Sequence, residues 1–285
     1  MAFDDPQPSS SFSVQEGGLC ARVAPLTDVG RKRERNEDNH LVLPLDGSGA
    51  PQSGEAGTLS IDEPGLLLAV ADGMGGHHGG EIASRMCVDN LGNEIVHQLH
   101  DAGTVHPDLA SALQQAVVAT HRAVFSFAQD YAKNQTIGTT LTAALLCGPR
   151  AEVAQVGDSR AYLLRDGNLI LLTQDQTIGN KLRNRGTDLA MVNARIQELL
   201  TQAVGAQPEI NVIMTAIDME PQDVLLLCSD GLYKAVSPEE LVGILELEIP
   251  LAEKASQLIS RGNENGGPDN ITVILVEICQ AEGGS

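Results

Sequence analysis

Positive charge is scarce in this chain: 18 lysines and arginines against 38 aspartates and glutamates in 285 residues leave a formal net charge of −20. Affinity for nucleic acid comes largely from Lys and Arg displacing counterions from the phosphate backbone, so DNA and RNA are excluded as expected partners. No stretch approaches the roughly 18 consecutive apolar residues of a membrane span, and no membrane partner is expected. Residues 1–18 lack the basic start and apolar core of a secretory signal. No CxxC is present, and the five cysteines (Cys20, Cys87, Cys147, Cys228, Cys279) are odd in number and far apart, which argues against zinc or dithiol chemistry. Buried, reduced thiols and a cytoplasmic location are the expectation. No GK[ST] occurs, and counting GxGxxG from Gly73 puts His78 where the last glycine belongs, so both usual nucleotide fingerprints are missing.

The length allows a full core in one domain. Residues 1–20 carry Pro6, Pro8 and a run of serines and read as a loose tail, leaving 21–285 as a single catalytic domain. A polar stretch over 46–64, rich in glycine and proline, reads as a long loop between the apolar runs Leu41–Leu45 and Leu66–Ala71. Helical spacing of apolar residues over 81–102 and 107–133 predicts two amphipathic helices, with Leu109, Leu113, Val117, Val124 and Phe127 on one face. Short apolar runs over 139–147, 151–156, 161–164 and 169–173, punctuated by Gly148-Pro149, Gly157-Asp158 and Asp166-Gly167, predict strands and tight turns. Residues 174–207 carry Lys181, Arg183, Arg185 and Arg195 in a weakly helical stretch and read as a flap. Strands return over 224–228 and 271–278, with helices between them over 238–247 and 251–262. Strands before, between and after paired helices imply sheet layers covered by helices.

Four acidic clusters each sit at the end of an apolar run: Asn36-Glu37-Asp38, Asp72-Gly73, Asp230-Gly231 and Asp269-Asn270. One Asp-Gly at a strand end is an ordinary turn. Four acidic clusters together suit a hard divalent cation, which takes several oxygen ligands that sheet ends can deliver from distant parts of a chain. The glycines after Asp72 let backbone approach an ion or phosphate closely.

Taken in order, these motifs resemble those of the metal-dependent, type-2C protein phosphatases of bacterial type. The matching segments are Asp28-Val29-Gly30 with Arg33 and Asn36-Glu37-Asp38; Asp72-Gly73-Met74-Gly75-Gly76-His77 with Gly80-Glu81 and Ala83-Ser84; Gly138-Thr139-Thr140; Gly157-Asp158-Ser159-Arg160; Ser229-Asp230-Gly231-Leu232; and Asp269-Asn270-Ile271-Thr272. The resemblance covers residues 21–278. It implies an α+β fold, a four-layer α-β-β-α sandwich of two mainly antiparallel sheets flanked by helices. It also implies two Mn2+ or Mg2+ ions, with Asp72 bridging them, Gly73 offering its carbonyl, and Asp230 and Asp269 completing one coordination sphere. Glu37 and Asp38 hold metal-associated waters on the same reading.

Arg33 is the expected phosphate anchor, because a guanidinium pairs two phosphate oxygens at once where an ammonium cannot. His77 is the candidate proton donor to the leaving alkoxide; a structural or exposed histidine is the competing reading. Asp158 resembles the ligand of a third, weaker metal, which Lys234 opposes, since it stands four after Asp230 where the family often carries a carboxylate. Gln176 stands where histidine is common in the family. The implied activity is hydrolysis of phosphoserine and phosphothreonine in phosphorylated proteins, opposite a serine/threonine kinase. The alternatives are a catalytically weak regulatory or phosphoprotein-binding module and a hydrolase of small phosphoesters.

Overall fold

The computed structural model describes residues 18–75, 78–101, 108–131 and 136–281. One sheet joins β1 (Leu19–Asp28), β3 (Gly57–Ser60), β8 (Arg160–Arg165), β9 (Asn168–Leu171), β11 (Val224–Cys228) and β12 (Ile271–Gln280) in the order β3-β1-β12-β11-β8-β9. The other joins β2 (Asp38–Pro44), β4 (Leu66–Met74), β6 (Leu141–Cys147), β7 (Arg150–Val156) and β10 (Ile213–Asp218) in the order β10-β7-β6-β4-β2, with β5 (Gly138–Thr139) on the end of β4. Every ladder between these strands is antiparallel.

Strand periodicity explains the layering. In β4, Leu66, Leu68 and Val70 point into the core between the sheets, while Leu67, Ala69 and Ala71 point the other way. That outer face is covered by α1 (Gly79–Asp101) and α2 (Leu109–Tyr131). In β12, Ile274 and Val276 face the inter-sheet core, and Val273 and Leu275 face a third core. That third core is closed by α5 (Asp230–Tyr233), α6 (Pro238–Leu245) and α7 (Leu251–Glu264). Strands buried on both faces need unbroken apolar runs, which is why Leu66–Ala71 and Val273–Val276 do not alternate. The result is the expected helix-sheet-sheet-helix sandwich. Truncating a fully buried member such as Leu226 to alanine would cost about 2–5 kcal/mol.

Local signals fix the helix ends. Ser237 and Glu240 form a reciprocal capping box around α6, with Pro238 in the first turn. Leu113, Val117 and Val124 of α2 are buried, whereas Leu109 and Phe127 are only partly covered. Two short helices, α3 (Ile178–Arg183) and α4 (Ala194–Gln197), and a 3-10 turn at Leu189–Met191 make up the flap.

Three expectations need correction. Strand β1 starts at Leu19, inside the stretch read as a tail. The polar 46–64 segment is not all loop, because it contains β3, which pairs with β1. Nor are all five thiols reduced: the β1–β12 register sets Cys20 opposite Cys279, and the two form a disulfide across 259 residues of sequence. Sequence spacing carries no trace of such a pairing. Cys87 and Cys228 are buried free thiols as expected, and Cys147 is partly covered.

Candidate active site

The acidic clusters meet at one end of the sandwich because each sits at a strand end there, Asp72 and Asp230 where β4 and β11 finish, Glu37-Asp38 and Asp269 where β2 and β12 begin. Register places Asp38, at the start of β2, opposite Asp72 near the end of β4. Asp230 opens α5 immediately after β11, and Asp269 lies two residues before β12. Asp72, Asp158, Asp230, Asp269, Glu37 and Glu198 line one cleft of about 300 Å3, with Arg33, Lys234 and Gly73. A larger cavity of about 660 Å3 opens by the Cys20–Cys279 pair at the β1–β3 edge, but its only charged side chains are Arg22 and Asp62. The chemistry belongs to the smaller space.

The floor of the cleft is held by contacts between residues far apart in sequence. The Ser229 hydroxyl donates to Asp38 Oδ2 at 2.7 Å and accepts from the Thr272 amide at 3.0 Å. Asn270 accepts the Glu37 amide through its side-chain oxygen and donates to the carbonyls of Val29 and Arg35, which pins the loop bearing Arg33 and Glu37. The Asp72 amide donates to Thr140 Oγ1, and the Asp72 carbonyl accepts from the Thr140 amide and the Thr139 hydroxyl. Thr140 and Ser159 share a hydroxyl–hydroxyl bond at 2.6 Å. Gly73 is required where it stands, since an added Cβ would lie 2.2 Å from the Gly80 carbonyl oxygen and 2.7 Å from that of Glu37.

Crowding of carboxylates sets the electrostatics. Burial, reinforced by the neighbouring Asp38, Asp230, Asp158 and Asp269, holds Asp72 well above the usual carboxylate range. Burial pushes Asp38 up to about 7, with the Ser229 and Thr272 hydrogen bonds opposing it and Asp230 and Asp269 adding to it. Asp158 is likewise raised to about 7, by burial first and Asp230 second. The cleft's own cations offset part of this charge. Arg33 donates to Asp269 Oδ2 at 2.7 Å, and Lys234 donates to Asp230 Oδ2 at 2.6 Å.

A divalent cation fits this donor set. Asp38 Oδ1 and Asp230 Oδ1 are buried oxygens without a hydrogen-bond partner, a costly state that an ion relieves. Among the described residues no three His, Cys, Asp or Glu side chains are drawn together tightly enough to enclose an ion as they stand. Asp230 and Asp269 are instead engaged by Lys234 and Arg33.

The structure therefore brings Arg33, Glu37, Asp72, Gly73, Asp158, Asp230 and Asp269 to one cleft, with Asp38 buried beneath it. His77 lies outside the described residues. Glu198 and Leu200 of the flap also line the cleft; nothing in their sequence marked them, since they arrive through the Thr177–Leu200 bridge and the bond from the Ile178 amide to the Leu199 carbonyl. Gln176 ties the Gly157-Asp158 turn to the flap: its side chain accepts the Gly157 amide and donates to the Asn211 carbonyl.

Comparison with known proteins agrees with this arrangement. The family model described as "Protein phosphatase 2C" matches residues 46–275. A "Serine/threonine phosphatase stp" from Listeria welshimeri is 33% identical over 254 residues, covering 88% of this chain and 93% of its own length. The solved serine/threonine phosphatase of S. agalactiae superposes with a TM-score of 0.74 at 30% identity, covering 92% of this chain and 100% of the other. The catalytic domain of the phosphatase PstP, solved with 2 manganese ions, superposes with a TM-score of 0.69 at 33% identity, covering 92% of this chain and 99% of that one. Ordered motifs, sandwich topology and a carboxylate-lined cleft thus converge with these likenesses, and the chain belongs to the protein phosphatase 2C family.

Proposed function

We propose that this protein is a metal-dependent serine/threonine phosphatase that hydrolyses phosphoserine and phosphothreonine in proteins with water, at a centre of two manganese or magnesium ions. The observation that carries this reading is the cleft itself: strand-end carboxylates crowded enough to raise Asp38, Asp72 and Asp158, with unpartnered buried oxygens on Asp38 and Asp230. Two divalent ions at such a site acidify water toward neutral pH and offset charge on the phosphoryl group.

The side chains divide the work. Asp72, Asp230 and Asp269, with the Gly73 carbonyl, are the groups to hold the ions. Glu37 borders the cleft and Asp38 lies buried behind it on Ser229, positions suited to holding water at the rim of a metal shell. Arg33 is half exposed at the mouth and can turn its guanidinium from Asp269 to the phosphate of a substrate. No residue need become covalently phosphorylated. His77 is retained as the candidate donor of a proton to the departing serine or threonine oxygen, on the sequence pattern alone.

The substrates on this reading are phosphorylated proteins, and the cognate partner is a serine/threonine kinase that installs the phosphates. The flap over 174–207 is the surface to select among them, because it reaches the cleft through Glu198 and Leu200 and carries exposed Met191, Ile196 and Leu199. No helix among the described residues is long and apolar enough to cross a membrane. A cytoplasmic location suits opposition to a kinase, and the Cys20–Cys279 disulfide is the observation that weighs against it.

The test compares wild type with Asp72→Ala in manganese-dependent phosphate release from a phosphothreonine peptide. The expected loss is on the order of 10³-fold or more, equivalent to about 4 kcal/mol of activation free energy, in a variant whose circular dichroism shows it folded. A folded, manganese-loaded wild type that releases no phosphate from several phosphopeptides or small phosphoesters would overturn the enzymatic reading and favour a phosphoprotein-binding module.

A further inference from the structure

Lys234 follows the single turn of α5 as its C-terminal cap, four residues after Asp230. That spacing puts both side chains on one face of the turn, and the ammonium donates to Asp230 Oδ2 at 2.6 Å. The other oxygen, Oδ1, is buried and has no hydrogen-bond partner. One carboxylate is thus divided, with Oδ2 committed to a fixed monovalent cation and Oδ1 left for an ion. The Lys234 charge also acts on Asp158 and Glu198, which line the same cleft. Neighbouring contacts hold the two sides together: the Tyr233 hydroxyl donates to the Asp158 carbonyl at 3.1 Å, and Arg160 lies 3.6 Å over the Tyr233 ring while forking onto Asp175.

We infer that Lys234 is a tethered cation that occupies the Asp158 side of the cleft and limits the centre to two divalent ions. The inference rests on the metal-dependent reading given above. An ammonium bonded to Asp230 Oδ2 repels any further ion seeking to share that oxygen with Asp158, and charges facing each other between the buried Asp158 and the largely covered Asp230 are poorly screened. Formal charge agrees. Six carboxylates against Arg33 and Lys234 give the lining −4, which two divalent ions balance. A carboxylate in place of Lys234 takes the lining to −6, which calls for three.

Manganese stoichiometry, measured by equilibrium dialysis with elemental analysis on the full chain, tests this without reference to turnover. Wild type takes up two ions per chain, and Asp158→Asn also takes up two, because Asp158 holds none. Lys234→Asp takes up three, and Lys234→Asp with Asp158→Asn returns to two. Circular dichroism and thermal melting establish that each variant is folded. A wild type that binds three ions, an Asp158→Asn that loses one, or a folded Lys234→Asp that stays at two overturns the assignment. A wild type that binds two ions yet releases no phosphate overturns the proposed activity and leaves Lys234 in its role. A wild type that binds no manganese overturns both.

Discussion

The cleft floor and the flap border the same space and are built in opposite ways. The floor is held by bonds between distant parts of the chain, such as Ser229 to Asp38 across 191 residues and Asn270 to Val29 across 241. The flap is held mostly by its neighbours in sequence: Thr177 caps Asn180, Asp188 caps Ala190, Asn193 caps Arg195, and Gln197 donates to the carbonyls of Leu189 and Val192. The floor buries charge and leaves oxygens unpartnered, while the flap exposes apolar side chains, Met191 at 87%. A geometry assembled from the whole fold cannot drift without loss of chemistry. A locally capped segment can change its surface and leave the floor intact.

The sharpest way to break this comparison is Gly73→Ala. Backbone lies 2.2 Å and 2.7 Å from the added methyl, so the strand end must move. Manganese-dependent phosphate release should fall on the order of 10²-fold, as a displacement near 1 Å in a reacting constellation does. Urea denaturation should show a loss of about 1–3 kcal/mol. Unchanged turnover would mean that the floor is more forgiving than its contacts imply.

Metal binding comes next. Manganese at about 100 times its dissociation constant should stabilise the wild-type fold by about 2.7 kcal/mol, read as a rise in melting temperature. Asp72→Asn should melt higher than wild type in chelator, because it removes a repelling carboxylate from the floor, and should gain little from manganese. A metal-dependent rise of wild-type size in that variant would remove Asp72 from the ligand set.

Acidity gives a signed effect. Asp158 titrates near 7 in the fold, up from 3.8 for the free side chain. A group raised on folding contributes stability that is complete below its unfolded value and is lost as pH rises through its folded value. Metal-free wild type should therefore lose, between about pH 4 and pH 7, a share of stability that Asp158→Asn does not lose. Parallel stability–pH curves for the two proteins would contradict the buried setting of Asp158.

The smallest effect belongs to the flap. Met191→Ser with Leu199→Ser should change stability by no more than about 0.5 kcal/mol and leave hydrolysis of a small aryl phosphate unaltered. The same pair should raise KM for a phosphoprotein substrate. Equal losses on both substrates would show that the flap supports the floor itself.

Core strands and the carboxylates at their ends were legible in the sequence because β4, β11 and β12 are buried on both faces and are flanked by acidic residues, Asp72 and Asp230 where β4 and β11 finish and Asp269 just before β12 begins. Other elements were hidden for physical reasons. Strand β1 carries Pro25, a residue that reads as a strand breaker. It is tolerated because β3 pairs only as far as Val23, so the missing amide hydrogen falls beyond that ladder. Strand β10 is a half-exposed edge with no clear alternation. Strand β3 is a four-residue edge within a polar stretch. The Lys234–Asp230 bond was implicit in an i, i+4 spacing, but only the short α5 turn shows that those residues are helical. Glu198 reaches the cleft by a bridge between residues no local pattern connects.

The pairing of Asp38 with Asp72 across β2 and β4 makes their separation a quantised property. Strand positions advance by about 3.4 Å per residue, and a slip of one residue also turns every side chain to the opposite face. Pairing could therefore shift only in two-residue steps of about 7 Å, each far larger than a metal–oxygen bond. In that direction the spacing of the two carboxylates can be abolished by one insertion or deletion in either strand, but it cannot be tuned by degrees.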